Sequence, residues 1–146
     1  MLERFAMIKI TKESSVSIDD VLHLYQAVGW TNYTHQPQML EQALSHSLAT
    51  YLTRDGEEII GLVRLVGDGF SSVFVQDLIV LPGYQRQGIG SNLMKEALAD
   101  YKDAYQIQLA TEQTEKTLGF YRSLGFKTLS TYDCTGMIWV DRKKFK

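Results

Sequence analysis

Apolar residues recur along the chain in two periods, which predict short strands separated by amphipathic helices. Alternation at every second residue, or a short apolar run rich in β-branched residues, predicts a strand, and apolar spacings of three or four predict helices. The strands are predicted over residues 7–11, 49–53, 59–66, 73–81, 105–110, 126–132 and 137–140. The helices are predicted over residues 17–28, 37–48, 89–101 and 115–124. The order β-α-α-β-β-β-α-β-α-β-β describes a mixed α/β domain.

Turn residues lie between these segments. Asp55-Gly56 and Asp68-Gly69 separate alternating runs, which predicts that the three middle strands form an antiparallel meander. Thr135-Gly136 predicts a closing antiparallel pair from the last two strands. A length of 146 residues predicts one domain, 1–146, without repeats or linkers. Met7 precedes the first predicted strand, so residues 1–6 are expected to be a disordered extension.

Composition excludes several classes of function. The net charge is −2, and no basic run is longer than Arg142-Lys143-Lys144, so nucleic acid is not expected as a partner. The single cysteine, Cys134, excludes an intrachain disulfide and fits a reducing compartment. The sequence shows no membrane span and no signal-peptide core, which predicts a cytoplasmic protein without a membrane partner. The three histidines lack metal-ligand spacing, and no metal is expected.

The stretch from Ser72 to Tyr101 carries the clearest chemical pattern. An apolar strand ends at Pro82-Gly83, a loop containing Gly88 and Gly90 follows, and an amphipathic helix begins directly after it. Strand, glycine-containing turn and helix together suit phosphate binding, because the first helical turn presents unpaired N–H groups. A nucleotide P-loop is excluded because no lysine follows Gly90. A dinucleotide fingerprint is excluded because its third glycine position is occupied by leucine.

The remaining pattern, Gln-x-x-Gly-x-Gly, is carried by Gln85, Gly88 and Gly90 after an apolar strand. It resembles the signature of the GNAT superfamily of acetyl-CoA-dependent N-acetyltransferases. The segment Phe120-Tyr121-Arg122-Ser123-Leu124-Gly125-Phe126 is similar to a second motif of that family, Phe-Tyr-x-x-x-Gly-Phe. The predicted order of elements is also that of the GNAT fold. The resemblance therefore implies a mixed, mostly antiparallel central sheet flanked by helices, and acetyl-CoA as the co-substrate.

The resemblance implies two sets of residues that contact acetyl-CoA. The backbone of the strand pairs with the pantetheine arm, and the N–H groups of the loop bind the pyrophosphate. Thr114 takes the place of an asparagine that contacts the cofactor in many members of the family, so its assignment is open. The implied cofactor-binding residues are Leu78, Ile79, Val80, Gln85, Arg86, Gln87, Gly88, Ile89, Gly90, Ser91 and Thr114.

The resemblance also implies that Tyr121 is the general acid that protonates the departing thiolate. For the general base, Asp77 is the leading candidate, because a carboxylate in an apolar strand is costly to bury without a purpose. Structural pairing with Arg64 on the neighbouring strand explains Asp77 equally well. Glu112 is a second candidate, and many enzymes of this family use a chain of water molecules instead. The identity of the general base is left open.

The connector between the first two helices borders the acceptor pocket in the family that the chain resembles. Trp30 and Tyr33 are candidates for an aromatic wall around the amine, and ordinary packing explains them equally well. The sequence thus predicts transfer of an acetyl group to a small-molecule or peptidyl amine by direct attack. The alternatives are another acyl-CoA donor, a non-catalytic CoA-binding sensor or scaffold, and a plain interaction domain. The resemblance implies a homodimer only as a family tendency.

Overall fold

The computed structural model describes residues 7–141, which divide into two compact units. The first unit ends at Ala110 and the second begins at Thr111. The extension predicted at residues 1–6 and the basic tail that begins at Arg142 lie outside the described residues.

The first unit contains a five-stranded sheet with the order β1-β2-β3-β4-β5. Neighbouring strands from β1 to β4 are antiparallel, and β5 is parallel to β4. This confirms the predicted mixed sheet and the meander of its middle strands. The elements in chain order are β1 (Ile8–Glu13), α1 (Ile18–Ala27), α2 (Thr31–Thr34), α3 (Pro37–Ser45), β2 (Ala49–Asp55), β3 (Glu58–Gly67), β4 (Val73–Val80), α4 (Ile89–Asp100) and β5 (Ile107–Leu109).

Local sequence explains where the helices begin. Ser17 caps α1, because its hydroxyl accepts a hydrogen bond from the Asp19 amide at 3.2 Å. Pro37 opens α3, where its missing N–H costs nothing. The polar and aromatic connector between these helices contains the four-residue helix α2. Within residues 7–141, no helix combines the length and the apolar character that a membrane span requires.

Helices cover both faces of the sheet. Leu24 of α1 and Leu40 of α3 belong to one buried cluster with Leu62 of β3. Gly61 is adjacent to Leu62 and faces the other side. There the side chains of α4 approach closely: a Cβ added to Gly61 would lie 3.2 Å from Leu93 Cδ1. The absence of a side chain at Gly61 therefore lets α4 pack directly on the sheet.

The second unit contains α5 (Glu115–Ser123) and a short 3₁₀ helix (Leu129–Tyr132). The closing pair predicted over residues 126–132 and 137–140 is not formed in the described part of the chain, so this prediction is wrong. Local hydrogen bonds explain the difference. Amides in this segment bond to nearby carbonyls, as Cys134 does to Leu129 at 3.0 Å, and Asp133 adopts a left-handed φ of 58°. Serine and threonine hydroxyls here also bond to one another, which competes with a strand ladder.

Candidate active site

One edge of β4 loses its partner strand half-way along. Val73–Val75 pair with Ile107–Leu109 of β5, and in residues 7–141 no strand pairs with the same edge of Gln76–Val80. The predicted cofactor-binding residues Leu78, Ile79 and Val80 lie in this half. Their backbone groups on that edge are thus available to an extended ligand that adds itself to the sheet.

A β-bulge lies at the point where this pairing ends. On the opposite edge of β4, Asp77 is paired with Arg64 of β3, and Val75 with Leu65. Gln76 is therefore an extra residue in β4. Bulges bend a strand and increase its local twist. The bulge at Gln76 thus lies directly after Val75, the last residue of β4 that pairs with β5.

The loop after β4 leads directly into the N-terminus of α4. Arg86 has a left-handed φ of 65°, unusual for a residue with a side chain, and Gly88 has a φ of 80° at the N-cap. The Gln85 side chain turns back and donates a hydrogen bond to the Val80 carbonyl. The loop and the unpaired half of β4 are therefore parts of one local structure.

The N-terminus of α4 has no side-chain cap and no acidic residue in its first turn. The Asn92 amide donates to the Gly88 carbonyl at 3.0 Å, so the N–H groups of Ile89, Gly90 and Ser91 precede the helical ladder. By contrast, α1 begins with a serine cap and two aspartates. Unsatisfied N–H groups and the positive end of the helix dipole make the start of α4 suitable for an anionic group.

Asp77 lies in a buried polar network with a charged partner. Its side chain and that of Arg64 are 2% and 4% exposed, and Arg64 Nε donates to Asp77 Oδ2 at 2.7 Å. The Tyr25 hydroxyl donates to the same oxygen at 2.8 Å, and the Tyr33 hydroxyl donates to Oδ1 at 2.9 Å. Of the two explanations that the sequence left open for Asp77, the geometry favours structural pairing with Arg64.

The aromatic residues of the connector pack on Tyr25, which sequence reasoning did not single out. The ring centroids of Tyr25 and Tyr33 are 5.0 Å apart, and those of Tyr25 and Trp30 are 6.1 Å apart. Burial is the main cause that raises the pKa of both Tyr25 and Tyr33, and the nearby Asp77 carboxylate raises it further. Both hydroxyls therefore stay protonated and act as donors. Tyr25 had one signal in the sequence: a buried tyrosine hydroxyl needs a partner, and so does a buried aspartate.

In the second unit, α5 carries both Thr114 and Tyr121. Thr114 is the N-cap, and its hydroxyl accepts from the Thr117 amide at 3.2 Å. Tyr121 is half-buried, with Phe120 and Phe126 packed edge-on at centroid distances of 5.0 and 5.9 Å. Burial raises the pKa of the Tyr121 hydroxyl, which keeps it protonated at neutral pH. Glu112 is exposed.

A family model described as an acetyltransferase (GNAT) domain matches residues 46–128, more than half of the chain. The chain belongs to the GNAT acetyltransferase family. The matched range contains β4, the loop before α4, and α5. The residues that carried the sequence resemblance therefore all lie inside the GNAT domain match.

Solved structures agree with this family. A GNAT family acetyltransferase from Streptococcus pneumoniae TIGR4 has a TM-score of 0.86 and 72% identity, covering 93% of this chain and 99% of that one. A GNAT family acetyltransferase from Elizabethkingia anophelis, solved with acetyl-CoA bound, has a TM-score of 0.61 at 23% identity. It covers 83% of this chain and 76% of that one, and the likeness shows the fold alone.

Plant proteins are among the relatives in sequence. Serotonin N-acetyltransferase 2, chloroplastic, from Oryza sativa subsp. japonica is 32% identical over 95 residues, covering 62% of this chain and 48% of that protein. GCN5-related N-acetyltransferase 1, chloroplastic, from Arabidopsis thaliana is 26% identical over 134 residues, covering 90% and 66%. This GNAT chain thus spans 48% and 66% of the lengths of these two relatives.

Proposed function

We propose that the chain transfers an acetyl group from acetyl-CoA to a primary amine by direct attack. One observation carries this proposal: the uncapped N-terminus of α4 directly follows the half of β4 that lacks a partner strand. The pyrophosphate of acetyl-CoA accepts hydrogen bonds from the backbone N–H groups of Arg86 to Ser91, and the pantetheine arm pairs with the backbone of Leu78, Ile79 and Val80. The acetyl-CoA complex of the Elizabethkingia anophelis protein, which shares the fold, supports this choice of donor.

The transfer needs a neutral amine and a way for the thiolate to leave. The amine nitrogen attacks the thioester carbonyl, and collapse of the tetrahedral intermediate breaks the C–S bond, whose electron pair goes to sulfur. Tyr121 gives its hydroxyl proton to that sulfur, and its raised pKa keeps the proton in place until then. The proton lost by the amine passes to water or to a base, for which Glu112 stays a candidate.

The acceptor is a small primary amine, with Trp30 beside its site. Trp30 is only partly buried, whereas the hydroxyl of Tyr33 is already bonded to Asp77. The rice relative is named for serotonin, so arylalkylamines come first among the acceptors to test. Replacing Trp30 with alanine should raise the KM for the amine by roughly 10-fold and leave the KM for acetyl-CoA within 2-fold. Equal effects on both constants would place Trp30 outside the acceptor site. A cytoplasmic location and a homodimer stay predictions.

Calorimetry with CoA tests the donor site. In Gly90→Val, the branched side chain in the first turn of α4 should keep the pyrophosphate from the backbone, and affinity should fall at least about 10-fold. The matched control is Gly83→Val in the same loop, because a Cβ at Gly83 meets no atom within 4 Å. Unchanged affinity in a folded Gly90→Val protein would contradict the site.

Thiol release then tests the reaction itself. Acetyl-CoA and propionyl-CoA are offered to the wild-type protein with a panel of arylalkylamines, polyamines, amino sugars and peptides. Release of CoA with one of these amines supports catalysis, and the preferred thioester identifies the acyl donor. A protein that binds CoA and releases no thiol with any amine would be the non-catalytic CoA-binding module.

A further inference from the structure

Arg64 and Asp77 face each other on β3 and β4 beside the bulge at Gln76. We propose that this ion pair positions β4 for acetyl-CoA, an inference that rests on the proposed function. Asp77 is then a positioning residue, and the general base lies elsewhere.

The carboxylate of Asp77 is enclosed by donors. Oδ2 accepts from Arg64 Nε and from the Tyr25 hydroxyl, and Oδ1 accepts from the Tyr33 hydroxyl. Only 2% of the side chain is exposed. A general base must come within hydrogen-bond distance of the proton that it removes. An acceptor amine would first have to displace three donors from Asp77, which argues against that role.

The guanidinium of Arg64 is held as tightly as its partner. Nη1 donates to the Ser47 hydroxyl and Nη2 to the Tyr33 hydroxyl, both at 3.2 Å, while Nε bonds to Asp77. All three nitrogens therefore have partners on different segments: the turn after α3, helix α2, and strand β4. A rigid planar fork with several donors suits this task better than a lysine ammonium.

The pair fixes the register of β4 immediately after the bulge. Arg64 opposite Asp77 is the first cross-strand pair beyond Gln76, and the pairing of β4 with β5 ends just before it, at Val75. A slip of one residue would turn every side chain of a strand to the opposite face. Loss of the bulge would also change the local twist of β4 at the point where its pairing with β5 ends.

The residues that depend on this register are those assigned to acetyl-CoA. Leu78, Ile79 and Val80 follow Asp77 directly, and the Val80 carbonyl anchors the loop through Gln85. The hydroxyls of Tyr25 and Tyr33 attach α1 and α2 to the same carboxylate. The ion pair therefore connects helices α1 and α2, which flank the proposed amine site at Trp30, with strand β4, which is proposed to bind acetyl-CoA.

The decisive variant is the double replacement Arg64→Met with Asp77→Leu. Removing only Asp77 would leave the charge of Arg64 buried without its partner, whereas replacing both residues with hydrophobic ones removes both charges together. The hydroxyls of Tyr25 and Tyr33 lose their acceptor in the double variant, which lowers its stability. The matched control is Tyr25→Phe, which removes one donor to Asp77 and leaves the cross-strand pair intact. The readouts are amide hydrogen exchange in β4, calorimetry with CoA, and the dependence of kcat and KM on pH.

We expect a folded double variant with faster exchange at residues 76–80 and unchanged exchange in β2. Its affinity for CoA should fall at least about 10-fold, because the strand no longer presents its edge in one register. At saturating acetyl-CoA, kcat should stay within a few-fold of the wild type. Any fall of kcat at low pH, which would report protonation of the general base, should occur at the same pH as in the wild type. Tyr25→Phe should change CoA affinity by less than about 2-fold.

Other outcomes overturn the proposal. Unchanged CoA affinity with a kcat lowered at least about 100-fold and a lost acidic limb would make Asp77 the base. Unchanged hydrogen exchange and unchanged CoA affinity would show that the ion pair is not needed to position β4. A double variant that fails to fold would show that the ion pair is needed for folding of the whole domain, and not specifically for positioning β4. If the wild-type protein does not bind CoA, the proposed function fails. The hydrogen exchange of the unliganded proteins still tests the positioning role.

Discussion

Gln85 and Val80 are joined across the loop between β4 and α4 by a hydrogen bond of 3.0 Å, from Gln85 Nε2 to the Val80 carbonyl. The side-chain amide of Gln85, the glutamine of the Gln-x-x-Gly-x-Gly pattern, thus forms a hydrogen bond within the protein, at the ends of the loop itself. This bond holds the strand end near the start of α4 and fixes the path of the backbone through Arg86, whose φ is left-handed. We infer that Gln85 shapes the loop between β4 and α4, and that the backbone N–H groups of this loop bind the ligand.

Replacing Gln85 with alanine should therefore weaken CoA binding moderately. Loss of one hydrogen bond of this kind costs about 0.5–1.5 kcal/mol, which corresponds to a roughly 2- to 12-fold increase in Kd. Calorimetry checks this, with Gln87→Ala as the control because Gln87 is an exposed glutamine in the same loop. If both variants lose affinity equally, the bond between Gln85 and Val80 is not the cause.

Thr53 offers a way to stabilise the fold. The residue is 1% exposed, and its hydroxyl oxygen has no hydrogen-bond partner among the described residues. A buried polar group left unpaired costs about 1–3 kcal/mol. Thr53→Val keeps the shape and removes the hydroxyl, so the free energy of unfolding should rise by about 1 kcal/mol, as measured by urea denaturation. Thr53→Ser keeps the hydroxyl, loses a methyl group, and should be less stable than the wild type. A less stable Thr53→Val would reveal a partner for that hydroxyl.

Buried tyrosines should make the fold sensitive to alkali. Burial is the largest cause that raises the pKa of Tyr25, Tyr33 and Tyr51, and nearby carboxylates raise it further. Below about pH 9 these hydroxyls are protonated in both the folded and the unfolded protein and contribute no pH dependence to the free energy of unfolding. Above pH 10 the unfolded chain loses their protons first, so the free energy of unfolding falls as pH rises, by about 1.4 kcal/mol per pH unit for each tyrosine.

Urea denaturation between pH 8 and pH 11.5 measures this loss. Tyr51→Phe should show a shallower decline above pH 10, by about one proton, although it also loses the 2.6 Å hydrogen bond to Asp100. Tyr105→Phe is the control that removes an exposed tyrosine hydroxyl, because Tyr105 is 85% exposed. Equal slopes in the wild type and Tyr51→Phe would show that Tyr51 ionises normally in the folded state.

The sequence predicted the sheet well because each strand of the meander has a strong local signal, as with Asp55-Gly56 between β2 and β3. It predicted the loop before α4 because the glycine pattern and the following amphipathic helix are local as well. The network around Asp77 was harder to predict. Its members lie 13 to 52 positions from Asp77, and only the tertiary fold brings them together.

The prediction of a closing strand pair near the C-terminus was wrong for a related reason. Residues 126–132 were predicted as a strand, but their apolar residues Phe126, Leu129 and Tyr132 are spaced by three rather than two. A strand also needs a partner edge, which the sequence pattern alone cannot supply. Threonine and serine hydroxyls in this segment bond locally instead, and Asp133 turns the chain with a left-handed φ. Composition rich in such residues argues for turns, and this signal was available in the sequence.

Tyr121 provides the sharpest test of the proposed chemistry. If its hydroxyl protonates the departing thiolate, it acts mainly in the transition state and contributes little to binding of acetyl-CoA. Tyr121→Phe keeps the ring, and so its edge-on contacts with Phe120 and Phe126. We expect kcat to fall roughly 10²–10⁴-fold, the range for one positioned acid, with CoA affinity within 2-fold of the wild type.

The pH profile separates this role from a structural one. An acid works only while it holds its proton, and burial raises the pKa of Tyr121, so the alkaline limb of the wild-type kcat profile should lie above pH 10. In Tyr121→Phe that limb should vanish, leaving a low rate that no longer falls in alkali. Tyr132→Phe is the control in the same unit, because Tyr132 is 64% exposed. The acceptor must be one for which chemistry limits turnover, since slow product release would hide the effect. A kcat that survives Tyr121→Phe within a few-fold, together with a lower melting temperature, would make Tyr121 a packing residue, and the thiolate would then take its proton from water.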